Sequence, residues 1–276
     1  MRIKKNKASG MRKNEKKLGQ LFCDNKAQDI LTMLLAECEH AGANIYANCE
    51  IKTIEAFADE KLSGRYNVVT SLGDYVCESL VIATGGLSIP TMGATGFGYQ
   101  VAEQFGLQLK PRTAGLVPFT LSPSQLEQFK DCVGNAAEVT LTCGEQSFTE
   151  NILFTHRGLS GPAILQISSY WQPGQTLLIN LLPHIDLVDY LNNQQQTRPK
   201  VLLTTLMSEL LTKSIAQCFC NFVAEVRPIN QYTPKEIEAI ADLFHRWEIM
   251  PAGTEGYRTA EVTLGGVDVD ELSSKT

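Results

Sequence analysis

The sequence predicts an α/β protein in which a nucleotide-binding sheet is interrupted by an inserted domain of β-strands followed by helices. Three observations indicate this class. A short apolar run at residues 80–83 ends at Thr84-Gly85-Gly86, which is typical of a strand buried on both faces of a parallel sheet. From residue 111 the pattern changes to strands and then to helices. Strand-like alternation and a Gly-Gly pair return at 259–266, as expected when one domain is inserted into another.

Ahead of the buried run, the chain predicts a helix and a small meander. Residues 25–41 place apolar side chains at helical spacing, and Gly42 supplies a stop signal. The following extended segments are expected to pair antiparallel, with a turn at Gly73-Asp74; they are residues 44–47, 50–57, 65–72 and 75–79. A further helix is predicted at 99–105.

The inserted region begins with β-like stretches and ends with helices. The strands are predicted at 137–143, 146–154 and 175–183, with a turn and a short helix at 155–171. Residues 186–247 have a helical pattern. Thr233-Pro234-Lys235-Glu236 carries a capping Thr, a Pro at the first helical position and a Glu that can reach back to the cap.

Charge is distributed unevenly along the 276 residues. Residues 1–17 hold two Arg, six Lys and one Glu, a net charge of +7, whereas the remaining residues hold 16 basic and 29 acidic groups, a net charge of −13. The acidic body argues against nucleic acid as a partner over most of the surface. The basic leader is interpreted as a solvated segment, with a tether to nucleic-acid phosphates as the alternative.

Neither a membrane segment nor a secretory signal is predicted. No apolar run reaches the roughly 18 residues that a membrane span needs, and no apolar core follows the basic start. The eight cysteines include no C-x-x-C pair, and the four histidines are isolated, so no metal site is predicted. Reduced thiols in a cytoplasmic protein are the expected state, with Cys218 and Cys220 buried as apolar groups.

Two glycine-containing segments are candidate ligand sites. Val81–Gly86 (VIATGG) ends in small residues against which a ligand can lie. The alternative is that the same residues only form a tight turn between a strand and a loop. We expect the backbone at 83–86 to leave a gap free of side chains for a diphosphate and ribose. Gly93–Gly98 (GATGFG) precedes a helix, where free N–H groups favour an anion, but it matches neither a Walker A loop nor G-x-G-x-x-G.

A third segment, Thr155–Pro162 (THRGLSGP), resembles a nucleophile elbow only loosely. It does not match G-x-S-x-G, and His156 is too close in sequence to Ser160 to serve as a triad partner, so serine hydrolysis is not predicted. His156 and Arg157 either face a ligand or form a solvated turn.

The chain resembles a family of bacterial NAD(P)/FAD-dependent oxidoreductases, the YhiN-like or BaiN-like group, which includes bile-acid-intermediate reductases and an aminoacetone oxidase. The resemblance runs from about residue 13 to 274, in the ordered segments LGQLFCDNKAQDIL, LVIATGGLSIPTMGATGFGYQVAEQFG, LVPFTL, FTHRGLSGPAIL and AEVTLGGV. It implies an FAD-binding fold of the two-dinucleotide-binding-domain type, interrupted by a β-barrel and a helical subdomain.

The resemblance also implies site residues. Ile51 would meet adenine through its backbone, and Phe97 stands where many members have Asp. The residues expected beside the FAD are Ala83, Thr84, Gly85 and Gly86, and those expected towards the flavin are Gly93, Thr95, Gly96 and Gly98.

The family's terminal motifs are not found in this chain. Members begin with G-x-G-x-x-G and G-G-G-R-C-N and end with G-E-x-x-D-x-x-G and G-G-Y-N, so we expect a chain truncated at both ends that binds FAD weakly or not at all. The implied domains are a basic leader at 1–20, a partial FAD-binding domain at 21–110 that resumes at 254–276, and an insertion at 111–253, β-rich over 111–185 and helical over 186–250.

Two functions follow from these expectations. The first is part of a flavin-dependent oxidoreductase that passes electrons from NAD(P)H through FAD to a small organic acceptor or to oxygen. No side chain is identified as its catalytic acid or base. The alternative is a catalytically silent fragment that binds a partner protein through the inserted domain.

Overall fold

The computed structural model describes residues 13–15, 21–23, 26–57, 65–223 and 225–273. The chain divides into two compact units, Met1–Val81 and Ile82–Thr276. The predicted boundary at residues 110 and 111 lies inside the second unit. The domain boundaries predicted from the sequence differ from this division into two units, and they remain a prediction.

The first unit contains the predicted helix and meander. Its elements are β1 (Lys13–Glu15), β2 (Leu21–Cys23), α1 (Gln28–His40), β3 (Ile51–Ala56), β4 (Tyr66–Thr70) and β5 (Gly73–Cys77). Strands β3, β4 and β5 pair antiparallel in that order, as predicted. Two details of the prediction were wrong: residues 44–47 form no strand, and the turn is at Ser71-Leu72, so that Gly73 already belongs to β5.

Helix α1 forms where the periodicity predicts it, but none of its side chains is buried. Ile30, Leu31, Leu34 and Leu35 are each between 43% and 52% exposed. The described part of the first unit buries Ile54 and Val68 in the meander instead. The apolar spacing therefore predicted the helix correctly, but the described residues do not bury its apolar stripe.

Residues 80–83 do not form the predicted buried strand. They have no regular secondary structure, and Val81 is 81% exposed. An extended segment needs a neighbouring strand to satisfy its N–H and C=O groups, and no described strand pairs with this one. All described strand pairs are antiparallel, so the expected parallel nucleotide-binding sheet is not confirmed.

The second unit holds nine strands and seven helices among its described residues. The strands are β6 (Leu109–Gly115), β7 (Phe119–Thr120), β8 (Ala136–Cys143), β9 (Gln146–Thr155), β10 (Gly158–Ser160), β11 (Leu177–Asn180), β12 (Trp247–Ile249), β13 (Gly253–Thr254) and β14 (Val262–Val267). The helices are α2 (Phe97–Gln104), α3 (Pro123–Gln128), α4 (Pro162–Ser168), α5 (Leu187–Thr197), α6 (Leu203–Leu210), α7 (Lys213–Cys220) and α8 (Pro234–His245).

Seven of these strands form one curled sheet in the order β12-β11-β8-β9-β10-β7-β13. Its two edge strands are joined by residues 250–252 alone. In a flat sheet the edges would lie about 29 Å apart, but so short a connection spans at most about 15 Å. The sheet must therefore curl towards a barrel, although no hydrogen-bonded ladder between described residues closes it.

The hydrophobic core of the second unit is formed by this curled sheet and its helices. It extends from Phe119 to Ile249 and includes an aromatic cluster in which Phe129, Phe154 and Phe219 contact Trp247. Cys218 and Cys220 are buried in it, as predicted. The inserted region thus has a core of its own, which is the property expected of an independent domain.

Strands β6 and β14 form a separate antiparallel pair that brackets the curled sheet in sequence. The Gly265-Gly266 pair, predicted as a turn after a strand, lies inside β14 at a register shift. Gly265 has a φ of +75°, and a Cβ there would lie 2.0 Å from the Pro111 carbonyl oxygen. Glycine is required because the two backbones approach closely at this bulge.

None of the helices formed by the described residues is long and apolar enough to cross a membrane. All eight cysteines are free thiols.

The capping box of α8 gives a stability prediction. Thr233 Oγ1 accepts from the Glu236 N–H, and the Glu236 carboxylate accepts from the Thr233 N–H at 2.7 Å. We expect Thr233→Ala to lower the free energy of unfolding by about 1 kcal/mol, measured by denaturant titration. Thr212→Ala is the matched control, because exposed Thr212 precedes α7 without a side-chain capping bond. Equal losses in both variants would contradict this role.

The same capping box predicts a pH dependence. Hydrogen bonds from the Thr233 backbone and side chain, followed by the bond from Arg227, hold the pKa of Glu236 below its usual value. A lowered carboxyl pKa adds stability above the unfolded-state pKa, and that stability is lost as pH falls through the folded-state pKa. We expect the difference between the parent chain and Thr233→Ala to shrink on acidification through this range.

Candidate glycine-loop site

The candidate site is a segment that we call the glycine loop, residues 82–98, which lies in the second unit. Thr263 of β14 anchors it from 176 residues away in sequence. The Thr263 Oγ1 accepts from the Leu87 N–H at 2.9 Å and lies 3.0 Å from the Ser88 Oγ. One hydroxyl can accept the backbone bond and donate the other. The loop is therefore fixed by the strand that follows the inserted region.

Gly86 does not leave the open gap expected from the sequence. A Cβ at this position would lie 2.7 Å from Thr263 Oγ1 and 2.8 Å from the Tyr99 hydroxyl oxygen. The space above Gly86 is therefore filled by two side chains. The prediction of an unobstructed backbone at 83–86 was wrong at this residue, because Tyr99 of α2 and Thr263 of the distant strand β14 approach it.

Gly85 and Gly93 do leave open space. Their φ angles are +73° and +90°, and no heavy atom lies within 4 Å of an added Cβ at either position. Turn glycines far from this loop, such as Gly144, are equally open. The openness therefore permits a ligand at Gly85 and Gly93 but does not identify one. The residues present fit a dinucleotide at these two positions and not at Gly86.

Thr84 packs against the first turn of α2. A Cβ at Gly98 would lie 2.6 Å from Thr84 Oγ1 and 3.4 Å from Ile82 Cγ2, so glycine is needed for this contact. At Gly96 the nearest atom is Leu87 Cδ2 at 3.8 Å, an ordinary contact. The two ends of the glycine loop are thus held together by the pairing of Thr84 with Gly98.

Thr95 and Phe97 are occupied in forming the helix start. Thr95 Oγ1 accepts from the Phe97 N–H at 3.3 Å, and the N–H groups of Tyr99 and Gln100 bond to the Gly96 carbonyl. The side chain at position 97 carries no carboxylate. This end of the loop therefore presents backbone and an aromatic ring, without the acidic group that the family resemblance implied.

Ile89 is held in a strained backbone conformation. Its φ and ψ are +58° and +64°, which a β-branched residue rarely adopts. The Ile89 N–H donates to the Tyr257 carbonyl at 2.8 Å, and the short 3-10 turn Pro90–Met92 follows it. Strain of this kind persists where neighbours fix it and is common at functional sites. The sequence analysis did not single out Ile89, and its residue type gave no signal of it.

Ile51 is the one predicted cofactor residue that lies in the first unit. It begins β3, pairs with Thr70 and is 39% exposed. The other eight predicted residues lie in the second unit. Within that unit the structure brings Thr84, Gly86 and Gly98 into one packed cluster. It also shows that Tyr99 and Thr263 belong to this cluster, which the sequence analysis missed.

The glycine loop contains no ionisable side chain. One charged group contacts Tyr99, whose hydroxyl group fills the space above Gly86. The Arg112 guanidinium carbon lies 4.9 Å from the centre of the Tyr99 ring. Lys110 bonds to Asp268, and this contact is the main reason that the pKa of the Asp268 carboxyl is lowered. Because residues 82–98 hold no ionisable side chain, a charged acid or base for any reaction would have to come from outside the loop.

The third candidate segment has no triad geometry among its described contacts. Ser160 lies inside β10, paired with Leu153 of β9. His156 lies beside a cavity of about 180 Å³ lined by apolar groups and Lys130. Arg157 contacts Glu255. No group of three or more described His, Cys, Asp or Glu side chains is arranged to hold a metal ion.

The contact between Thr84 and Gly98 gives a test of the loop packing. Alanine inside a helix is normally more stable than glycine by about 1 kcal/mol, but the clash with Thr84 reverses the sign here. We expect Gly98→Ala to lower the melting temperature and the control Gly96→Ala to have a small effect. Adding Gly98→Ala to Thr84→Ala should be neutral or stabilising. A loss of stability that persists in that background would contradict the assigned clash.

Thr263 gives a second test. Thr263→Val keeps the shape of the side chain but leaves the Leu87 N–H without its acceptor, which costs about 1 kcal/mol. We expect faster hydrogen exchange of the Leu87 amide and lower stability, both measured on the whole chain. Thr263→Ser retains the hydroxyl and should restore the protection of that amide. Similar exchange in the Val and Ser variants would contradict the anchoring role.

The chain was compared with known proteins. Residues 113–262 match the family described as HI0933-like protein barrel and H2TH domain, a range that holds β7 to β13 and α3 to α8. Two relatives are named ribosomal RNA dihydrouridine synthase. The one from Haemophilus influenzae is 43% identical over 272 residues, and the one from Escherichia coli is 46% identical over 270 residues. Each alignment covers 97% of this chain.

A more distant relative is the 3-dehydro-bile acid delta(4,6)-reductase of Clostridium scindens, 22% identical over 275 residues and 91% of this chain. The chain spans about two thirds of the length of these relatives: 67%, 66% and 64% in the order given. All three names describe enzymes. With more than half of its residues matched, this chain belongs to the HI0933-like family.

Proposed function

We propose that this chain forms part of an FAD-dependent enzyme that reduces uridine to dihydrouridine in ribosomal RNA. One observation carries the proposal: two proteins named for that activity are 43% and 46% identical to this chain in alignments that cover 97% of it. The small organic acceptor expected from the sequence is thereby replaced by a uracil base within an RNA. The predicted cytoplasmic location is part of the proposal.

The reaction needs a hydride on one carbon of the uracil C5–C6 double bond and a proton on the other. Bound flavin would supply the hydride after reduction by NAD(P)H. This chain's residues would hold the cofactor through the backbone at Gly85 and Gly93, while Thr84, Gly86 and Thr263 keep the loop in shape. Because the loop has no ionisable side chain, it would not be the source of the proton.

The remaining predicted site residues enter the proposal unchanged. Ile51 would contact adenine through its backbone, and the residues of the glycine loop assigned to the cofactor's surroundings are Ala83, Thr95, Gly96 and Gly98. The open positions beside Gly85 and Gly93 support this assignment. The closed face of Gly86 shifts its role from lining the cofactor to packing.

Two alternatives have observations in their favour. The reductase relative favours a small organic acceptor, which the sequence analysis also expected. The self-contained core between Phe119 and Ile249 favours a binding module without catalysis. We prefer the RNA substrate because the two relatives named for it share about twice the identity of the reductase.

The test uses the whole chain with added FAD, NAD(P)H and rRNA transcribed in vitro, which lacks modified bases. Weak FAD binding, the upper limit of what the sequence analysis expects, should shift the visible spectrum of FAD added in excess. We expect uridine to gain one pair of hydrogen atoms under these conditions, detected by mass spectrometry of nuclease fragments. Gly98→Ala should reduce FAD binding. Gly253→Ala is its control, because Gly253 lies outside the glycine loop and a Cβ there would meet only Thr120 Oγ1 at 3.6 Å. A reaction without NAD(P)H gives the background.

Each failure has a distinct meaning. A chain that takes up FAD and oxidises NAD(P)H but leaves rRNA unchanged supports the small-acceptor alternative. A chain that takes up no FAD, and whose residues 113–262 bind a protein partner, supports the binding module. Either result would contradict the proposed reaction for this chain.

A further inference from the structure

A pair of arginines lies next to the glycine loop, on the side of its strained residue. Tyr257, whose carbonyl holds the Ile89 N–H at 2.8 Å, is the middle residue of the 3-10 turn Gly256–Arg258. Arg258 therefore follows directly on a residue that contacts the loop. Its side chain is 53% exposed.

Strand pairing brings a second arginine to the same place. Strand β7 lies between β10 and β13, with Thr120 opposite both Gly158 and Gly253. Arg157 immediately precedes β10, and Glu255 immediately follows β13. The same Glu255 Oε2 lies 3.4 Å from Arg157 Nη1 and 3.0 Å from Arg258 Nη2.

The three side chains carry a net positive charge. One carboxylate, with a side chain only 11% exposed, holds two guanidinium groups that are 43% and 53% exposed. Each guanidinium has five N–H donors, so most remain available to a ligand. The other ion pairs between described residues are balanced or carry excess negative charge; Arg227, for example, contacts both Glu225 and Glu236.

We propose that Arg157 and Arg258 bind phosphate groups of the RNA substrate beside the glycine loop, an inference that rests on the proposed function. A planar guanidinium binds phosphate through paired hydrogen bonds. Glu255 holds both groups in place before the ligand arrives, which reduces the entropy lost on binding. Residues 18–276 carry a net charge of −13, which repels a polyanion from most of their surface. RNA would therefore bind where cationic side chains locally outnumber carboxylates.

The same phosphate-binding chemistry would also suit the diphosphate of the cofactor. RNA phosphates and the FAD diphosphate can be distinguished by how strongly salt lowers the binding affinity. Contacts with RNA release condensed counterions, so the affinity falls steeply with salt, and each lost contact to a single strand lowers that slope by about 0.7. Loss of a contact to FAD would instead weaken FAD binding and leave the RNA slope unchanged.

The experiment compares Arg157→Gln/Arg258→Gln with Lys130→Gln/Arg246→Gln. The control side chains are 59% and 63% exposed and belong to one-to-one ion pairs, and the change in net charge is the same. Binding of rRNA transcribed in vitro is measured over a range of salt. We expect the slope of log affinity against log salt to fall by roughly 1.4 in the arginine variant and by clearly less in the control.

Loss of both arginines leaves Glu255 without its cations, which threatens folding. The triple variant with Glu255→Gln removes that unpaired charge, and thermal melting checks the fold of each variant. The slope of the triple variant should also fall by roughly 1.4. FAD binding, followed by flavin fluorescence, should match that of the parent chain.

Two results would overturn the inference: equal slopes in the arginine and control variants, or weaker FAD binding with an unchanged RNA slope. These outcomes are separable from failure of the proposed function. An arginine variant that reduces rRNA and whose salt slope equals that of the control retains the function and refutes the inference. A chain that binds RNA through these arginines but reduces no uridine refutes the function and supports the inference.

Discussion

The hydroxyl group of Thr263 is the contact on which the candidate site depends. It accepts from the Leu87 N–H, contacts the Ser88 hydroxyl and, with Tyr99, fills the space above Gly86. Thr263 lies on β14, which the chain reaches only after the curled sheet and its helices are complete. The glycine loop therefore acquires its shape only when β14 returns to pair with β6. The conformation of this glycine-rich segment is thus fixed by the side chain of Thr263, which is distant in sequence.

The curled sheet explains how the long region from β7 to β13 keeps its two ends together. Strands β7 and β13 pair directly, and the strand pair β6 and β14 lies just outside them in sequence. Backbone hydrogen bonds join β7 to β13 at this end of the region, while its buried apolar side chains supply its stability. Arg157, Glu255 and Arg258 contact one another at the same end.

The glycine loop is uncharged, and the charged side chains considered with it lie outside the loop. In the proposed function, uncharged residues and glycine backbone would present the surface for the cofactor, and charged side chains would attract an anion. Nothing in the loop titrates, so its geometry does not vary with pH by its own chemistry. This division suits a protein whose redox chemistry comes from a bound cofactor, where the polypeptide supplies position and electrostatics.

Local patterns in the sequence predicted the secondary structure well where the deciding contacts are also local. Helix α1 forms over Gln28–His40 because apolar side chains recur at helical spacing, and Thr233 begins α8 because its partner Glu236 is three residues away. The meander and the long hairpin of β8 and β9 follow from alternation and short turns. The glycines of the candidate loop were likewise recognised, since their spacing is visible in the chain.

Contacts between distant residues decided the rest. The apolar run at 80–83 is compatible with a buried strand, but it forms none here because a strand exists only with a neighbour to share its hydrogen bonds. Gly86 has the same residue type as Gly85, yet only Gly86 is covered, because Tyr99 and Thr263 approach it from other elements. Composition and periodicity determined which elements form in this protein. The pairing of residues up to 176 positions apart determined which surfaces those elements leave open to a ligand.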